Sequence, residues 1–94
     1  MERPTFEAML DAATGIERDG DQYSVADGYG LSVFIGEPGQ AMEVSEVEAI
    51  RLADSYVEAH SREHHQVYYL EYSSLHGLRV RPPNDGGSRR AGFN

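Results

Sequence analysis

The sequence contains no cysteine, no tryptophan and no lysine. Without cysteine it has neither disulfides nor thiolate metal sites. That fits a reducing compartment, and the protein is expected to be cytoplasmic. Without tryptophan, aliphatic residues with three Phe and six Tyr must fill the core. The missing lysine leaves eight Arg as the fixed cations. This reads as the codon bias of a GC-rich, bacterial-type genome rather than as a functional signal. No apolar run approaches the roughly 18 residues of a membrane span. The opening "MERPTFEAML" is interrupted by Glu7, so a secretory signal is not expected there.

What is present is an acidic chain of modest apolar content. The formal net charge is -8 and the hydrophobic fraction is 39%. Phosphate backbones and anionic membrane surfaces are bound largely through Lys and Arg. Direct nucleic-acid binding and membrane binding are therefore not expected; a basic partner, or simple solubility, is. A length of 94 residues points to one domain. A chain this small buries a low share of its surface and gains from self-association.

Residues 4–14 predict a short N-terminal helix. Thr5 is placed to cap it, Phe6, Met9, Leu10 and Ala13 share a face, and Gly15 can end it. From Ile16 to Gly36 the chain reads as strands and turns. "DG" recurs at Asp19-Gly20 and Asp27-Gly28, a strong hairpin signal. Leu31, Val33 and Ile35 alternate with Ser32 and Phe34, and "GEPGQ" is a loop.

The middle of the chain supports two folds. In one, Ser45 and Glu48 form a capping box for a helix at about 45–61, with Ala49, Ile50, Ala53, Tyr56, Val57 and His60 on one face. The fold would then be α+β, in the order ββαββ. In the other, "MEVSEVEAIRL" and "LEYSSLHGLRV" are two copies of one unit at an offset of 28 residues, in which Glu43, Ser45 and Arg51 recur as Glu71, Ser73 and Arg79. Each copy would be β-β-corner-β, with the corner started by Ser. The first repeat spans 16–52 and the second 53–81, and "REHH" is the tip of a hairpin. This strand–corner–strand ending resembles that of small SH3-like or Sm-like barrels. The resemblance covers about half the chain and implies an architecture without an activity. The preferred reading is a mainly β barrel or roll formed by degenerate duplication, with residues 1–81 as the domain. Residues 82–94, rich in Pro and Gly, are expected to be a disordered tail.

No segment carries a catalytic, nucleotide or phosphate-loop signature. His60 and His64 would be helix neighbours, but no H-E-x-x-H pattern surrounds them. "SSLHG" reads as a turn, not a nucleophile. No metal or other cofactor is expected, and no enzymatic activity. The distinctive element is tyrosine. Tyr68 and Tyr72 share one face of a strand and Tyr69 looks out from the other, so these three are candidate protein contacts. Arg89, Arg90 and Phe93 are candidates for a docking motif in the tail. The expected role is a non-catalytic interaction or regulatory module that binds a protein partner or a second copy of itself. The competing reading is an acidic decoy that occupies the groove of a basic nucleic-acid-binding protein.

Overall fold

The computed structural model describes residues 1–37 and 39–83. One helix, α1 (Arg3–Ala12), precedes seven strands: β1 (Ile16–Asp19), β2 (Gln22–Val25), β3 (Gly30–Ile35), β4 (Met42–Leu52), β5 (Tyr56–Ser61), β6 (Val67–Glu71) and β7 (Leu75–Arg81). All strand pairings are antiparallel. The protein is mainly β, a curled antiparallel half-barrel with one short helix. No helix among the described residues is long and apolar enough to cross a membrane.

The sheet is organised around β4. On one edge, its first half pairs β3 and its second half pairs β2. On the other edge, residues from Val47 onward pair β5. β1 extends the sheet beyond β2, β6 beyond β5, and β7 beyond β3. A strand that serves two sub-sheets must bend, and β4 does so through irregularities in its pairing. Against β3, two steps from Leu31 to Val33 match three steps from Val47 back to Val44. Glu46, inside that interval, has φ 56. Against β5, the two steps from Val47 to Ala49 match a single step from Ser61 to His60. These are β-bulges: each adds a residue to one strand, bends it and strengthens its twist.

The expected helix over 45–61 is therefore not formed; β4, a turn and β5 occupy those residues. Of the face expected for that helix, Ile50 and Val57 are buried, on β4 and β5, while Ala49, Ala53, Tyr56 and His60 are only partly buried. The bulges set the burial pattern of β4. They bring Val44, Val47, Ile50 and Leu52 into one core, at spacings of three, three and two. The Ser-started corner expected in the first repeat is a bulge within a continuous strand. In the second stretch a one-turn 3₁₀ corner, Tyr72–Ser74, separates β6 from β7. The two stretches also pair differently: among the described residues β4 has three strand neighbours, and β7 pairs with β3 alone.

Asp19-Gly20 does close a hairpin, β1–β2, with Gly20 at φ 66, where a side chain is disfavoured. Asp27-Gly28 does not. It turns the chain between β2 and β3, which lie one after the other along β4 instead of pairing together.

The core comprises Phe6 and Leu10 from α1, Tyr23, Leu31 and Val33 from β2 and β3, the four β4 residues, Val57, Ala59, Leu70 and Leu75. α1 packs its Phe6 and Leu10 into this core. It begins earlier than Thr5 would dictate: Glu2 is the N-cap, without a side-chain capping bond, and Pro4 lies in the first turn. Proline's fixed φ and missing N–H suit that position. Tertiary contacts hold the helix at both ends. The Met1 ammonium donates to the Tyr72 and Leu75 carbonyls, both at 2.9 Å. Arg3 reaches the Ala53 carbonyl and Asp21, each at 3.1 Å. At the other end, Asp11 accepts from Arg18 at 2.9 Å and from the Tyr23 hydroxyl at 3.1 Å. Of the expected helix face, Phe6 and Leu10 are buried, while Met9 and Ala13 are partly exposed.

Candidate interaction surface

The tyrosines proposed as contacts fall into different environments. β6 alternates its side chains, so Tyr68 and Leu70 face inward while Val67, Tyr69 and Glu71 face out. Tyr68 packs against the core and donates its hydroxyl to Gln66 Oε1 at 2.9 Å. Tyr69 is 67% exposed, more than Met42 or Val67, the other exposed large hydrophobic side chains among the described residues. Its ring lies 6.0 Å from that of Tyr56 on the neighbouring strand. Tyr72 sits at the corner between β6 and β7, packs against the core and donates to the Ala53 carbonyl at 2.7 Å. Burial raises its pKa. Its contacts join the corner to the β4–β5 turn, a role within the fold. Arg89, Arg90 and Phe93 lie outside the described residues.

β6 has β5 on one edge and, among the described residues, no strand on the other. Antiparallel pairing fixes which main-chain groups face that free edge, because hydrogen-bonded and non-bonded pairs alternate. The Ser61 N–H donates to the Gln66 carbonyl at 2.8 Å. The uninterrupted register from His60↔Val67 to Tyr56↔Glu71 carries the alternation forward. Tyr68 and Leu70 thus turn their N–H and C=O groups toward β5, and Val67, Tyr69 and Glu71 turn theirs away from it. The Glu71 carbonyl already accepts from Ser74 Oγ at 2.8 Å. Among the described residues the others have no hydrogen-bond partner.

The other outer strands carry more charge. β1 is Ile-Glu-Arg-Asp, and β7 contains His76, Arg79 and Arg81. Charge on an edge discourages pairing with another chain. β6 reads Val-Tyr-Tyr-Leu-Glu, with its one carboxylate at the end.

The outer face of β4, β5 and β6 also holds a polar cluster that pattern reading did not assemble. Arg51 hydrogen-bonds Glu58 and lies 3.4 Å from the Tyr56 hydroxyl, and His60 Nε2 is 3.3 Å from Glu58. The Arg51 bond is the main reason the Glu58 carboxyl titrates below its ordinary value; burial opposes it and His60 adds to it. Beside the cluster lies a recess of about 240 Å³ whose lining includes Asp19, Gln22, Ser24, Ala49, Arg51 and His60. The available signal was the alternation of Arg51, Glu58 and His60 with Leu52, Val57 and Ala59, which becomes legible once the segment is known to be strands.

The histidines do not converge. His60 is on β5, His64 and His65 are in the β5–β6 turn with φ 59 and 52, and His76 contacts the Gly36 carbonyl from β7. The helical His60–His64 neighbourhood is lost with the helix, and "REHH" does form the hairpin tip. No cluster of three or more potential metal ligands occurs among the described residues. Ser74 is engaged in its own corner through Glu71.

Several of the carboxylates are paired with arginine. Arg3 bridges Asp21 and Asp54, Arg18 bridges Glu7 and Asp11, Arg62 meets Glu48, and Arg79 meets Glu43. No protein-family model, curated protein or solved structure matches the chain.

Proposed function

We propose that this protein is a non-catalytic interaction module whose binding element is the free edge of β6 with the adjoining outer face. The supporting observation is the coincidence of main-chain donors and acceptors at Val67 and Tyr69 with the exposed side chains of the same residues. A strand added there would gain a hydrogen-bond ladder, and Val67, Tyr69 and Tyr56 would supply apolar contact. The curled sheet, the bent β4 and the 3₁₀ corner before β7 support an SH3-like or Sm-like barrel as the architecture. The recurrence of Glu, Ser and Arg in "MEVSEVEAIRL" and "LEYSSLHGLRV" supports its origin by duplication.

A photo-crosslinking amino acid in place of Tyr69 tests the binding role in the producing cells. The expected result is a discrete adduct that disappears when Val67→Pro is added. Proline removes an outward N–H and leaves the β5 ladder intact. Absence of any discrete adduct would contradict the reading.

A further inference from the structure

Resting on the interaction role proposed for the β6 edge, we infer that the strand seated there is β6 of a second copy of the chain, paired antiparallel about a two-fold axis through Tyr69.

Self-complementarity carries the inference. In an isologous contact each residue meets its symmetry counterpart, so a sequence that opposes like charges at the axis is excluded. Centred on Tyr69, the pairing sets Tyr69 against Tyr69, Tyr68 against Leu70, and Val67 against Glu71. The single carboxylate of the strand falls opposite valine and never opposite itself. The two Tyr69 rings meet on the outer face, an arrangement that favours cross-strand pairs. On the inner face, Tyr68 and Leu70 already lie along the core. Their alignment carries the apolar layer of one protomer toward that of the other.

Main-chain geometry agrees. The outward groups of Val67, Tyr69 and Glu71 fall in phase with their counterparts for this register. The two Tyr69 residues exchange both bonds, and each Glu71 N–H meets a Val67 carbonyl. That gives about four unobstructed main-chain hydrogen bonds. The Glu71 carbonyl is already engaged by Ser74 where the 3₁₀ corner begins, so the Val67 N–H is left out of that count. No proline interrupts β6. The result is one continuous sheet through both protomers, with the more highly charged β1 and β7 as its remaining outer strands.

A chain of net charge -8 repels its copy at long range. Screening removes that repulsion while leaving the ladder in place. Salt therefore strengthens this association, whereas it would weaken the capture of a basic partner.

The test is sedimentation equilibrium of the purified full chain, with intermolecular nuclear Overhauser contacts measured in a mixture of isotope-labelled and unlabelled protein. The expected result is a monomer–dimer equilibrium that tightens with salt and shows contacts between Tyr69 rings of different protomers. Tyr69→Lys sets two ammonium groups against each other at the axis and should weaken dimerisation roughly tenfold or more. Val67→Lys sets its ammonium opposite Glu71 and should leave the dimer within about threefold of the parent. Both positions are exposed, so both variants should fold. A monomer at every concentration overturns the inference, as does a dimer that Tyr69→Lys does not weaken. The crosslinking result separates the two failures. A monomer that crosslinks another protein from position 69 sinks self-pairing and leaves the interaction role standing. A monomer that crosslinks nothing there sinks both.

Discussion

Val44 and Val47 lie three residues apart on one strand, and both side chains are buried in the same core. A regular strand would put them on opposite faces. The extra residue at the β4 bulge restores Val47 to the inside, and Glu46 takes φ 56 to accommodate it. Buried Ser61 fixes the neighbouring chain. Its Oγ donates to the Ser45 carbonyl and accepts from the Glu63 N–H, both at 3.1 Å.

The bulge gives position 46 an unusual response to substitution. A left-handed conformation costs a non-glycine residue on the order of 1 kcal/mol, and more for a β-branched side chain. Glu46→Gly should leave stability unchanged or raise it by up to about 1 kcal/mol, because glycine's unfolded-state entropy offsets part of the relief. Glu46→Val should lower it by about 1–3 kcal/mol. Urea denaturation of the two variants checks both signs.

The helix joins the core through Phe6 and Leu10, so its anchor should weigh heavily in stability. Phe6 is fully buried on α1 against the sheet. Phe6→Ala should cost about 3–5 kcal/mol, a large part of what a domain of this size has to lose. Thr5→Ala should cost little, because Thr5 does not cap the helix. Thermal melting of the pair distinguishes a core anchor from a capping effect.

Acid should expose the Arg51–Glu58 pair. Glu58 titrates below its unfolded value chiefly through its bond to Arg51. Its contribution is therefore present above the unfolded carboxyl range and is lost as pH falls through the lower folded value. Glu58→Gln should be less stable than the parent at pH 7 and converge on it in acid. Urea midpoints measured down through the carboxyl range follow the difference, and a constant difference would count against the pairing.

Alkali should find Tyr23. Burial, helped by the hydrogen bond to Asp11, pushes its phenol up to about 12. A raised folded value favours the neutral phenol, so the contribution is intact below the free value of about 10 and is lost as pH rises from there toward 12. In an ultraviolet titration, Tyr23→Phe should remove a late-ionising phenol and reduce the alkaline loss of stability.

Much of the fold was legible where sequence and local geometry agree. Val57 and Ala59 alternate with polar neighbours, Asp19-Gly20 makes a tight turn, and the Tyr-rich run after "REHH" is a strand. β4 was harder because its bulges break the period of two, and because the Ser45–Glu48 pair and the apolar residues 49–60, shared by β4, a turn and β5, also fit a capped helix. Asp27-Gly28 misled because turn chemistry is local, whereas the partner of each flanking strand is set by the long-range course of β4. At the candidate surface, the outward face of Tyr69 followed from alternation alone. The internal duty of Tyr72 did not, since its bond to Ala53 spans 19 residues of sequence. The Arg51–Glu58–His60 cluster likewise depends on the β4–β5 register.

Amide hydrogen exchange along β6 is the most direct measurement of the central claim. In dilute protein, the amides of Val67, Tyr69 and Glu71 should exchange fast while those of Tyr68 and Leu70 are protected. Protection of Val67, Tyr69 and Glu71 should then rise with protein concentration. If these amides are already protected at dilution, another part of the chain covers the edge and no partner strand can dock there. If Tyr68 and Leu70 exchange equally fast, β6 does not hold its place beside β5 and the edge does not exist.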